Sequence, residues 1–157
     1  MNFKYGVMQG RLSTKIGNKI QAFPIKNWKS EFSKAKKLGL KSIEWTLDYK
    51  KLNKNPLLLK KSQLEIKRLS RKYSIKIKSI TGDCFMQKPF WKIKNNKKIL
   101  EYLKKIIESA GELNIKYLVV PLVDKGSIQN KYQEKNLISI CEKYKKYLKN
   151  NNFKIIF

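Results

Sequence analysis

Five polar side chains stand where short apolar runs end: Gln9 and Arg11 after residues 4–8, Glu44 within 41–45, Asp83 after 75–80 and Asp124 after 115–123. Each type brings a particular chemistry. Arg11 offers a guanidinium fork that matches a phosphate or carboxylate. Gln9 can hydrogen-bond a hydroxyl. Glu44 is a carboxylate beside an aromatic at the end of an apolar run, where a buried acid is costly unless paired; it could orient a hydroxyl or carry a proton. Asp83 and Asp124 occupy equivalent places, to cap a following helix or to contact ligand. Trp45, Phe85 and Trp91 could stack on a sugar face or fill the core, and Lys78 could offer a cation to phosphate. Cys84 has no histidine in the chain to activate it, so nucleophilic thiolate chemistry is not expected.

These residues need strands to carry them. Residues 117–120 are the most apolar core of the chain, β-branched and aromatic, and read as a strand buried on both faces. Pro121 cannot donate to a ladder and marks the end of pairing. Residues 4–8, 41–45, 75–80 and 153–157 read as four further strands, of which 75–80 fits burial poorly because Lys76 and Lys78 alternate with isoleucines. Between the strands lie helical patterns. Trp28, Phe32 and Ala35 share a face, with Asn27 as N-cap and Gly39 as terminator. Ile66, Leu69 and Tyr73 follow an Asn55–Pro56 helix start. Ile99, Leu103, Ile106, Ala110 and Leu113 form the clearest stripe, and Leu137, Cys141, Tyr144 and Leu148 mark the last helix. Residues 14–26 form a long connection of the kind often used as a binding loop.

Strand starts fall roughly 34–40 residues apart, the repeat of a parallel α/β fold. A (β/α)₈ barrel takes ~250 residues, so four strand–helix units plus a fifth strand make a partial TIM barrel. The rival is an open doubly wound sheet of five strands. No Gly-x-Gly-x-x-Gly follows the first strand, so a dinucleotide-binding version is unsupported.

Hydrophobic residues make up 41% of the 157, which argues against disorder. No run is long enough to span a bilayer and no signal segment opens the chain, so the expected location is cytoplasmic. Cys84 and Cys141 read as free thiols. The net charge is +26, from 37 basic and 11 acidic residues, and only Arg11, Arg68 and Arg71 are arginines. Lysines spread along the whole chain read as solvated faces, with non-specific polyanion binding expected at low salt.

The segments Tyr5-Gly6-Val7-Met8-Gln9-Gly10-Arg11-Leu12-Ser13, Gln21-Ala22-Phe23-Pro24, Ile43-Glu44-Trp45, Ser79-Ile80-Thr81-Gly82-Asp83 with Phe85-Met86, and Pro121-Leu122-Val123-Asp124 occur in order. Together they resemble the sugar phosphate isomerase/epimerase family, the xylose isomerase-like TIM barrels. The resemblance runs over essentially the whole chain and implies the amino-terminal half of such a barrel, a single domain over 1–157 truncated after the fifth strand. It implies proton transfer beside the carbonyl of a small sugar or sugar phosphate, assisted by a divalent metal (Mn, Mg or Zn). The family's metal ligands are Glu, Asp and His on later strands, and none maps onto a position here, where histidine is absent. Glu44 is the catalytic candidate, and Gln9, Arg11, Asp83 and Asp124 are the substrate-binding ones. A complete site would need a second half barrel, from another chain or by self-association. The alternatives are a non-catalytic remnant of the family, or a basic nucleic-acid-binding protein related to abasic-site endonucleases.

Overall fold

The computed structural model describes residues 5–15, 17 and 22–157. The expected strand residue Lys4 and the motif residue Gln21 lie outside them. Five parallel strands form one sheet: β1 (Gly6–Met8), β2 (Ser42–Thr46), β3 (Lys76–Thr81), β4 (Tyr117–Val119) and β5 (Lys154–Ile156). Their spatial order is their chain order. That order decides between the two candidate architectures. Parallel crossovers are right-handed almost without exception, so strands laid down in sequence place every crossover helix on one face. A doubly wound sheet instead reverses its order to cover both faces. The fold is the singly wound, barrel-type one, as a partial barrel.

Five helices connect and follow the strands: α1 (Trp28–Lys37), α2 (Lys60–Tyr73), α3 (Asp83–Gln87), α4 (Lys97–Glu112) and α5 (Lys131–Asn150). The core lies between helices and sheet. It takes Ile43, Trp45 and Leu47 from the β2 segment, Ile75, Ile77 and Ile80 from β3, Leu118 and Val120 from β4, and Phe153 ahead of β5. Trp28, Phe32 and Ala35 of α1 meet them, as do Ile66 and Leu69 of α2 and Ile99, Leu103, Ile106 and Ala110 of α4. Only Leu137 of the α5 stripe is fully buried; Cys141, Tyr144 and Leu148 pack at the margin.

Among the described residues no helix covers the other sheet face, and this corrects two expectations. β4 is not buried on both faces: Leu118 is inaccessible but Tyr117 is 39% exposed. The alternation of β3 is its correct pattern, with Ile77 and Ile80 beneath helices and Lys76 and Lys78 on the open face. Between them the β2–β3 register shifts, Ile43 pairing with Ile77 but Trp45 with Ile80. β3 therefore carries one extra residue opposite Glu44, a bulge that restores the apolar phase of Ile80.

Local signals were satisfied differently in three places. Asn55 does cap, accepting from Leu57 N at 3.0 Å, but it starts a 3₁₀ turn (Pro56–Leu58), and α2 begins only at Lys60. Asn27 sits at the α1 N-cap without a side-chain cap bond. Directly after β3, where the sequence reading places no helix, Asp83–Gln87 form the short α3, locked down by Cys84 N donating to Leu47 O at 2.7 Å.

Candidate functional site at the carboxyl ends of the strands

Parallel strands in sequential order put all their carboxyl ends on one edge of the sheet; Gln9, Arg11, Asp83 and Asp124 lie there, while Glu44 sits on the open face at the middle of β2. Glu44 is within β2, on the open face, paired in register with Met8. Its carboxylate accepts a hydrogen bond from Ser79 Oγ at 2.5 Å and another from Thr81 Oγ1. The bulge of β3 makes this clamp. It presents Ser79 beside Glu44 while regular pairing resumes at Ile80, so the hydroxyls of Ser79 and Thr81 both reach one carboxyl group. Glu44 remains partly accessible and lines a groove of about 270 Å³ with Met8, Ser42, Lys78 and Ser79. The carboxylate is held in one orientation by neutral donors and faces open space, which is the arrangement a general acid/base or a hydroxyl-orienting group needs.

Gln9 is fully buried and straps β1 to β2. Its Oε1 accepts from Thr46 N at 3.4 Å, its carbonyl accepts from Thr46 Oγ1 at 3.2 Å, and its N–H donates to Glu44 O at 2.9 Å. Its Nε2 has no acceptor among the described residues. Arg11 is exposed on the turn after β1 and makes no ion pair among the described residues. Asp83 is nearly buried in the first turn of α3. There its charge helps push the Cys84 thiol up, after the larger effect of burial. Asp124 is exposed at φ +49° in a 3₁₀ turn (Asp124–Gly126), where its carbonyl accepts from Ser127. Trp45, Phe85 and Trp91 are wholly buried. Trp45 packs on Phe23 and Trp28, with ring centroids 5.5 and 5.7 Å away, and its Nε1 donates to Asn55. The structure thus brings Glu44 together with Lys78 and Ser79, and leaves Arg11, Asp83 and Asp124 on separate segments: the turn after β1, the start of α3 and the 3₁₀ turn after β4.

Two further carboxylates build the rim, and the sequence reading passed over both. Glu31 of α1 is buried and accepts from Gly10 N through both oxygens (3.1 and 3.0 Å), from Leu12 N at 3.2 Å and from Ser13 Oγ at 2.8 Å. Its signal was present: Trp28, Glu31, Phe32 and Ala35 share one helix face, and an acid in an apolar stripe requires partners. Asp48 accepts from Phe23 N at 2.7 Å and from Gln87 Nε2 at 3.2 Å, while Gln87 Oε1 accepts from Tyr49 N. That network ties three strand-exit segments together across long sequence separations, which no local pattern announces.

Among the described residues no three Asp, Glu, His or Cys side chains are grouped to hold a metal ion. Glu44 is surrounded by hydroxyls and a lysine, not by further carboxylates, so this donor set does not fit the divalent metal that the resemblance implies. Also among the described residues, no helix is long and apolar enough to cross a membrane.

No family model and no curated protein sequence matches the chain. Solved structures do match. A D-psicose 3-epimerase from Clostridium cellulolyticum, solved with D-tagatose, superimposes with a TM-score of 0.68 at 14% identity, over 98% of this chain and 51% of that one. A sugar phosphate isomerase/epimerase from Parabacteroides distasonis does so with a TM-score of 0.57 at 15% identity, over 97% of this chain and 49% of that one. The chain spans about half the length of these structures, and what it shares with them is the fold of a half barrel.

Proposed function

We propose that the chain forms the amino-terminal half of a sugar isomerase or epimerase. In this role Glu44 moves or directs a proton at a carbon or hydroxyl beside the carbonyl of a small ketose or its phosphate. The observation that carries this is the Glu44 clamp: a carboxylate fixed by Ser79 and Thr81 at an open groove, on the sheet face that a closed barrel turns inward. The two structural neighbours bear sugar isomerase and epimerase names on the same fold, which supports the substrate class. Arg11 supplies the cation for an anionic substrate group, and Asp83 at the start of α3, Asp124 on its 3₁₀ turn and the unmet Gln9 Nε2 supply further polar contacts. The remaining wall of the site, and the ligands of any divalent metal, come from outside these 157 residues.

Solvent exchange tests the assignment without requiring full turnover. The chain is incubated in D₂O with millimolar D-tagatose or a ketose phosphate, and deuterium entering beside the carbonyl is followed by proton NMR. Slow wash-in is expected, falling about 100-fold or more in Glu44→Gln, as removal of a general acid/base does. Wash-in that is absent from the parent chain, or unchanged in the variant, ends the proposal.

A further inference from the structure

At the opposite, amino-terminal end of the sheet lies a depression of about 600 Å³ between the ends of α2 and α4 and the starts of β3 and β4. Lys67, Arg71, Lys76, Lys78 and Lys116 line it, against one carboxylate, Glu112. That acid is already engaged by Lys60 at 3.4 Å, and none of the five lining cations has an ion-pair partner among the described residues. Helix-end electrostatics account for Arg71, which sits in the last turn of α2 where a cation meets the negative end of the dipole. They do not account for the others. Strand alternation brings Lys76 and Lys78 to one face, and the β3–β4 register sets Lys116 beside Lys78, with Lys116 N donating to Lys78 O at 3.0 Å. Like charges side by side on neighbouring strands are unfavourable. A second depression, containing Lys41 and Ser74, continues from the same Lys76 and Lys78.

We infer that this basic depression is a binding site for a compact oligophosphate, such as the triphosphate chain of a nucleotide or inorganic tripolyphosphate. Its volume is that of a small-molecule site. Five cations against one spent acid call for several negative charges within a few ångströms, a density that oligophosphates carry and sugars or single carboxylates do not. The five cations share one hollow, which a compact anion can fill. The depression shares Lys78 with the groove at Glu44, but the binding inferred here does not depend on the activity assigned there.

Tripolyphosphate is the probe, titrated into the full chain near physiological salt by calorimetry and by ¹H–¹⁵N correlation spectra. Saturable one-to-one binding is expected, with amide shifts concentrated in residues 67–78 and 112–117. Arg71→Glu with Lys116→Glu should weaken it by about tenfold or more, the equivalent of losing one or two charge-assisted contacts. Lys131→Glu with Lys135→Glu, the same charge change at the exposed start of α5, should weaken it less than about twofold, the part due to net charge alone. Circular dichroism checks that the variants fold, and the neutral pair Arg71→Gln with Lys116→Gln replaces any charge-reversed pair that does not. Equal weakening by the two pairs, or shifts spread over the whole surface without saturation, would mean diffuse attraction of polyanions and overturns the site. Tighter binding of a DNA duplex than of tripolyphosphate, lost in the same pocket variants, would overturn it in favour of nucleic acid.

Discussion

Glu31 and Glu44 are both carboxylates under hydrogen bonds, and they differ in what they face. Glu31 is enclosed and holds the loop after β1; Glu44 is clamped from one side and open on the other. Replacing Glu31 by Gln removes an acceptor oxygen from four donor contacts and should cost roughly 1–3 kcal/mol, the range for leaving buried partners unmet. Urea unfolding measures the loss, and faster tryptic cleavage after the exposed Arg11 reports release of the loop. The thiols give a second residue-scale prediction. Burial pushes Cys84 well above its ordinary value, and partial burial pushes Cys141 up less severely. A thiol reagent should label Cys141 in the native protein and reach Cys84 only on unfolding. Because the Cys84 thiol keeps its proton longer when folded, its contribution is intact below the unfolded value of ~8.5 and is lost as pH rises above it. The urea midpoint should therefore fall between pH 8 and 9.5 more steeply than in Cys84→Ala.

At the scale of elements, short apolar runs located the five strands and a 3.6-residue periodicity the faces of α1, α2 and α4, because burial against a sheet leaves that trace in a helix. What periodicity could not show was the bulge in β3. Its extra residue is visible only as a register shift against β2, yet it makes the Ser79–Glu44–Thr81 clamp. The turn after β1 depends on Gly10, whose φ is +94° and where a Cβ would meet Ala22 O at 2.4 Å. Gly10→Ala should destabilise by about 1–3 kcal/mol through backbone strain, with more if the contact cannot relax. Thermal unfolding checks it, and the mutation should disturb the rim before it disturbs β3 or β4.

For the whole molecule, charge and exposed surface pull in opposite directions. The net charge of +26 repels other copies, while the open sheet face exposes Tyr117 and Ile156 and the outer edges of β1 and β5 have no strand partner among the described residues. Unpaired edges favour pairing with another chain. Salt shortens the reach of the repulsion, to ~10 Å at 0.1 M and ~3 Å at 1 M, and leaves edge pairing and apolar contact in place. Sedimentation should therefore show larger species as salt rises. A distribution unmoved by salt would mean that the open face and edges do not drive association in this chain.

Chain order and apolar spacing determined that this protein is a run of strand–helix units with polar residues at or near the ends of the first four strands, because those patterns are local and written in every turn. The strand order, the single covered face and the partnership of Glu44 with Ser79 and Thr81 were decided only by the tertiary structure. The physical reason is that hydrogen bonds between residues 35 and 37 positions apart depend on register, and register is settled when neighbouring strands meet.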